Sequence, residues 1–272
     1  MTHPTASLFV RLAASCRVAP LRLAAPAFAL LLAVPTVALG QLAVDRGEVQ
    51  LRPGSPEERI AIIRVRNEGL QSAQVSVLLE DWDRDEIGTN RWYRTGSVPG
   101  SCAERLTIFP SVLQLAPGQE QTVRVVLDSA ASFDAECWAA AIVQVARVVT
   151  ANGRNAQFNI RTAVKLYVTP LDLPPRGEVA KMAVQGDSVQ LLYANTGKRH
   201  GNVSGRVEFR NADDVVAATL SIPDMPVLPG GMRRVTLALP KLAPGRYVVL
   251  AILDYGGEEL AAGQAEHDAK SP

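Results

Sequence analysis

Apolar and polar residues alternate with a period of two along most of this chain after residue 41, as in strands with one buried face. The longest such run covers residues 157–170. Phe158, Ile160, Thr162, Val164, Leu166 and Val168 fall on one face, and Gln157, Asn159, Arg161, Ala163, Lys165 and Tyr167 on the other. A typical strand has only about five or six residues. Two readings are open. The run is the long closing strand of a β-sandwich, or it outruns its own sheet and offers a free edge to a partner.

The rest of the chain is organised around that run. Upstream, alternation predicts strands over 42–51, 59–66, 73–82, 106–115 with a bend at Pro110, 121–127 and 138–149. Pro53, Gly54 and Pro56, then Asn67-Glu68-Gly69, then Ala116-Pro117-Gly118 mark the turns. Asn152-Gly153 is a hairpin signal, so the long strand pairs with the segment before it. Seven strands with short connections predict an immunoglobulin-like sandwich over 41–170. Pro170, Pro174, Pro175 and Gly177 then mark a stiff linker, 171–177. Further strands over 188–193, 202–209, 215–220, 233–237 and 247–254 predict a second, smaller β-sandwich over 178–268. The polar tail from Glu266 to Pro272 reads as frayed. The expected fold class is all-β, two sandwiches joined by a proline-rich hinge.

Charge and cysteine use set the compartment. Residues 1–40 carry Arg11, Arg17 and Arg22 and no acid, then an apolar run from Leu23 to Leu32 and on to Val37. Ala38-Leu39-Gly40 follows, before a cut at Gln41. This reads as an export signal, with an uncleaved membrane anchor as the alternative. No later run reaches the roughly 18 apolar residues of a membrane helix, so the mature chain is not expected to insert in a membrane. The whole chain has 28 basic and 27 acidic residues, and losing the three arginines tips it to the acidic side. That balance argues against nucleic-acid binding. Cys16 leaves with the signal, and Cys102 and Cys137 remain. An even pair in an oxidising compartment predicts a disulfide, with two buried free thiols as the alternative.

Candidate chemistry is sparse. Asp81, Asp83, Asp85 and Glu86 precede Gly88 and suggest a calcium loop. Such a loop needs glycine at its sixth position and glutamate at its twelfth, where this chain has Glu86 and Trp92. The acids read instead as a solvated turn. His200 and His267 stand in separate contexts. There is no nucleophile elbow, zinc-hydrolase motif or phosphate loop. No metal, cofactor or enzymatic activity is expected. Asn202-Val203-Ser204 matches a glycosylation acceptor and reads as a surface turn.

Four pieces, in order, resemble the PapD-like periplasmic pilus chaperones. They are Val44-Asp45-Arg46, the strand ending Arg64-Val65-Arg66-Asn67-Glu68-Gly69, the proline-led segment from Phe109 to Val125, and Val164-Lys165-Leu166-Tyr167-Val168-Thr169-Pro170. The resemblance covers roughly residues 42–170. It implies two immunoglobulin-like domains set in an L shape. It also implies a periplasmic chaperone that caps pilin-like subunits by donor-strand complementation and hands them to an outer-membrane usher. The donated side chains would be Ala156, Phe158, Ile160 and Thr162. Lys165 would hold the subunit's terminal carboxylate. The family pairs that lysine with a first-strand arginine, and Glu48 stands at the matching position. Arg46, two residues earlier, is then the expected second cation. An empty chaperone would cap its exposed edge by forming a dimer. The alternative from another class is an exported structural or adhesive surface protein that never releases its partner. A β-sandwich hydrolase is a third reading, without a motif.

Overall fold

A computed structural model describes residues 42–151 and 154–270. The predicted export signal and the Asn152-Gly153 turn lie outside the described residues. The first half of the chain forms β1 (Leu42–Val44), β2 (Glu48–Leu51), β3 (Ile60–Asn67), β4 (Ala73–Arg84), β5 (Asn90–Tyr93), β6 (Leu106–Phe109), β7 (Val112–Leu115), β8 (Glu120–Leu127), β9 (Cys137–Ala151) and β10 (Arg154–Val168). One sheet runs β1-β3-β8-β6. The other runs β2-β10-β9-β4-β5, with β7 also on β4. Inward residues such as Ile63, Val65, Val123, Val143, Val164 and Leu166 form the core between them. These are β-branched and leucine side chains at alternate positions, which pack well on a pleated surface.

The predicted strand over 42–51 is two strands in different sheets. β1 pairs with β3, and β2 pairs in parallel with β10. The chain crosses between the sheets at Asp45-Arg46-Gly47. The Asp45 carboxylate accepts the Arg64 amide at 2.9 Å, and the Asp45 amide donates to the Arg64 carbonyl at 3.1 Å. The Gly47 carbonyl then accepts the Lys165 amide at 2.9 Å. Alternation is blind to this step, because both halves keep one face inward. The bend at Pro110 is likewise a crossing, since β6 pairs with β8 and β7 with β4. Asp81 is buried, not part of a solvated turn. Its carboxylate accepts the amides of Ser97 and Val98 at 2.7 and 2.9 Å and the Ser101 hydroxyl at 2.5 Å, so a long loop supplies its solvation.

That loop is also held covalently. Cys102 and Cys137 form a disulfide with a Cα separation of 5.5 Å. Replacing both by alanine is expected to lower stability by about 3–4 kcal/mol, from restored loop entropy in the unfolded chain. Urea titrations of the two proteins measure this. An unmoved midpoint would mean that the loop is held by Asp81 alone.

The second half forms β11 (Glu178–Gln185), β12 (Ser188–Ala194), β13 (Gly201–Arg210), β14 (Val216–Val227), β15 (Met232–Ala238), β16 (Gly245–Asp254) and β17 (Ala261–Ala269). Its sheets run β11-β12-β15 and β14-β13-β16-β17 around Val189, Leu191, Val207, Phe209 and Val249. The tail read as frayed is β17, paired with β16 as far as Gly245↔Ala269. Its inward row is Ala261, Gly263, Ala265, His267 and Ala269, and Arg246 pairs with both Glu266 and Asp268 on the outside. Small inward residues gave the alternation too little contrast to see. A third apolar cluster joins Trp82, Trp138, Ala140, Ile142 and Tyr167 of the first half to Leu228, just after β14. Among the described residues no helix is long and apolar enough to cross a membrane.

Candidate functional site: a free strand edge and a cationic cleft

β10 is paired with β9 along its whole length, from Arg154↔Ala151 to Val168↔Cys137. Its other edge is covered only at Lys165–Val168, by β2. From Arg154 to Val164 that edge carries no strand among the described residues. β9 pairs with β4 only between Ala140 and Val145. Residues 146–151 and 154–159 are therefore a two-stranded ribbon that outruns its sheet.

The side chains along this edge form one row in two environments. Val164, Leu166 and Val168 are fully buried in the first core. The same face continues through half-buried Thr162 to Ile160, 37% exposed, Phe158, 55% exposed, and exposed Ala156. Phe158 and Ile160 present apolar surface where most of the strand's other exposed residues are polar. Burying each would contribute roughly 1.5–3 kcal/mol before ordering costs. On the opposite face Arg161 is ion-paired with Glu80.

That opposite face leads into a cleft between the sandwiches. Lys165 Nζ lies 5.5 Å from the centre of the Trp82 ring, and the Arg84 guanidinium carbon 5.4 Å from it. Trp82 is fixed by its indole N–H, which donates to the Ala139 carbonyl at 2.9 Å. The Trp138 indole in turn donates to the Trp82 carbonyl at 2.7 Å. Tyr167 meets the Trp82 ring edge-on at 6.1 Å. Burial pushes the Tyr167 hydroxyl pKa well above the usual tyrosine range. Arg84 donates to Asn90 Oδ1 at 2.9 Å and, across to the second sandwich, to the Pro226 carbonyl at 3.1 Å.

A buried carboxylate closes the other side of the cleft. Glu136 accepts the His200 amide at 2.8 Å and the Thr169 hydroxyl at 2.6 Å, and its Oε1 lies 2.7 Å from His200 Nδ1. The His200 ring stacks on Tyr167 at 4.0 Å. Its other nitrogen lies 4.0 Å from Glu48 Oε1. Glu48 is the register partner of Lys165 on β2.

The structure brings together Ala156, Phe158, Ile160 and Thr162 on one face and Lys165 on the other. It does not bring Arg46 to Lys165. Arg46 lies in the bend before β2, bonded to Asp45 at 3.1 Å. The register argument failed because strand alternation does not run through that bend. The cation that acts on Lys165 is Arg84. Sequence reasoning missed Arg84, His200 and Glu136. Trp82 and Arg84, two apart on one strand, share a face, and that was the readable signal for Arg84. Among the described residues no group of three or more His, Cys, Asp or Glu could hold a metal ion.

Burial first, and then Arg84, holds the Lys165 pKa below the usual lysine value, and Glu48 offsets only part of this. A lowered lysine pKa means the charge is lost earlier as pH rises. Anion binding in the cleft is therefore expected to fall with rising pH, with a midpoint below the ~10.4 of a free lysine. Lys165→Arg is expected to remove that fall. Titrating peptide binding against pH in the two proteins checks this, and a shared midpoint would assign the titration elsewhere.

Two immunoglobulin-like sandwiches with a free-edged closing strand are the fold of the PapD-like fimbrial chaperones. The class 5 fimbriae chaperone CfaA aligns at 10% identity and a TM-score of 0.53, over 82% of this chain and 98% of its own. A chain of the chaperone–tip adhesin complex of CFA/I fimbriae biogenesis aligns at 11% identity and a TM-score of 0.51, over 82% and 98%. At these identities the likeness is one of fold. No family model and no curated protein matches the sequence.

Proposed function

We propose that this protein is a periplasmic chaperone that caps pilus-like subunits by donating the free edge of β10. The observation that carries the reading is the edge from Ala156 to Val164, which pairs with no strand but β9 among the described residues and whose inward row ends in exposed Phe158 and Ile160. A subunit lacking a strand gains main-chain hydrogen bonds along that edge. Its apolar groove takes up Phe158 and Ile160, flanked by Ala156 and Thr162. Lys165 holds the terminal carboxylate of the subunit, and Arg84, not Arg46, is the cation that acts on Lys165 in the empty protein.

In this reading residues 1–40 are the export signal. The capturing sandwich spans 41–170, the linker 171–177 and the second sandwich 178–268. The loaded chaperone hands its subunit to an outer-membrane usher. An empty one covers its edge with a second copy. The chemistry is non-covalent, and no cofactor takes part.

The test is to purify the exported protein from its own periplasmic extract and identify by mass spectrometry what accompanies it. A small secreted β-rich subunit with an incomplete sandwich is the expected companion. Recovery of self-oligomer alone, from an extract in which such subunits are being made, would overturn the reading in favour of a structural surface protein.

A further inference from the structure

Arg84 has a second cation near it besides Lys165. Arg233 of β15 lies within electrostatic reach of Arg84, and burial and then Arg84 hold its pKa below the usual arginine value. None of the three forms a salt bridge among the described residues, whereas Arg46, Arg64, Arg91, Arg161, Arg210 and Arg234 each do. Two carboxylates stand near, Glu48 acting on Lys165 and Asp85 on Arg233, and neither closes to a salt bridge with its cation. Glu48 leans on His200. Asp85 is bonded to Arg91 at 3.2 Å and accepts the amides of Thr89 and Ile87.

The donors of these three cations are mostly uncommitted. Arg84 uses Nε and one terminal nitrogen on neutral partners. Arg233 makes one long bond of 3.4 Å, to the Glu86 carbonyl, and its buried Nε has no partner. The Lys165 ammonium forms no hydrogen bond among the described residues. Arg233 is nonetheless held in place. Its guanidinium lies flat on Gly88, where φ is +93° and an added Cβ would stand 2.0 Å from Nη1. Only glycine provides that bed. Cations that form no salt bridge are incompletely neutralised in the empty protein, and a bound anion offsets part of that cost.

A single terminal carboxylate neutralises one charge, and Lys165 suffices for it. Resting on the chaperone reading above, we propose that the cleft selects subunits whose last residue is aspartate or glutamate. The α-carboxylate meets Lys165, and the side-chain carboxylate meets the free terminal nitrogens of Arg84 and Arg233. Lys165 and Arg84 share the Trp82 ring as a floor, at 5.5 and 5.4 Å from its centre.

The test uses protein purified from the periplasm after expression of the full chain. The probes are a short peptide of alternating threonine and valine ending in glutamate, its twin ending in glutamine, and the twin with an amidated end. The glutamate peptide is expected to bind about tenfold more tightly than the glutamine twin, as one charge-assisted pair allows. The twin is expected to bind more tightly than its amide, reporting on Lys165. Arg233→Gln and Arg84→Gln should each bring the glutamate-to-glutamine ratio to about one and leave the effect of amidation intact. Equal binding of the glutamate and glutamine peptides to the unaltered protein overturns the proposal. So does a ratio that survives in both variants, or no binding of any peptide. Capture of whole subunits by donor strand is judged separately by substitution at Ile160, so either idea can fail alone.

Discussion

Ile160→Asp is expected to reduce subunit capture by more than about a hundredfold, or ~2.7 kcal/mol, while leaving the unfolding midpoint unchanged. Ile160 is the residue at which the row of β10 leaves its own core. In the empty protein it is substantially exposed, so a carboxylate there keeps its water and the fold does not suffer. In the complex the same position would enter an apolar groove. The substitution loses the burial of isoleucine and also takes a charge out of water without a partner. Co-purification of subunit with the variant and with the parent measures the loss. Asn159→Asp, one residue away on the opposite face, is the control and is expected to retain capture. Undiminished capture by the Ile160 variant would remove the donor strand from the mechanism.

Glu136→Ala is expected to destabilise the protein by about 3 kcal/mol and to split its unfolding into two steps. The Glu136 side chain is fully buried and receives three donors. Removing it leaves the His200 amide, the imidazole and the Thr169 hydroxyl without their acceptor. Each buried donor left unmade costs roughly 1–3 kcal/mol, less where water can enter. The Thr169 hydroxyl has no easy alternative, because its oxygen already accepts Gln50 Nε2 at 3.0 Å. The carboxylate precedes β9 in the first sandwich, while His200 lies between β12 and β13 in the second. The bond is therefore one of the links between the two cores, beside the apolar cluster of Trp82 and Leu228 and the bond from Arg84 to Pro226. Urea unfolding followed by tryptophan fluorescence and by far-ultraviolet circular dichroism is the measurement. Coincident transitions with an unchanged midpoint would show that the apolar cluster around Trp82 and Leu228 and the bond from Arg84 to Pro226 couple the halves without it. Glu136→Gln retains one carbonyl acceptor and is expected to be milder.

Much of the fold was legible in the sequence, because a period of two is a strong signal wherever one face is apolar and the other charged. The row from Phe158 to Val168 is the clearest case. Its pairing with the preceding segment and the disulfide followed from local chemistry alone. The signal failed where contrast was low, as in alanine-rich β17. It failed again where the chain changed sheets without breaking its alternation, as at Asp45-Arg46-Gly47. The donor face of the site was readable for the same reason as the fold. The cleft was not. Arg84, His200, Glu136 and Arg233 come from four separate elements, and only tertiary packing makes them neighbours. Asp81 shows the same limit, since a buried and a solvated carboxylate look alike until their donors are known.

The pairing of β2 with the end of β10 has a consequence for the order of assembly. It joins parallel strands at opposite ends of the first sandwich, and Gln50 and Thr169, bonded across it, stand 119 residues apart. Closing so long a loop is entropically costly, and contacts of this kind form late. The β9–β10 hairpin, by contrast, is local and forms early. A newly made chain thus displays Phe158 and Ile160 before Glu48 is seated beside Lys165 and the cleft is complete. The surroundings of Lys165 are a late product of the protein's own folding, while exposure to unwanted strand pairing begins with its first hairpin.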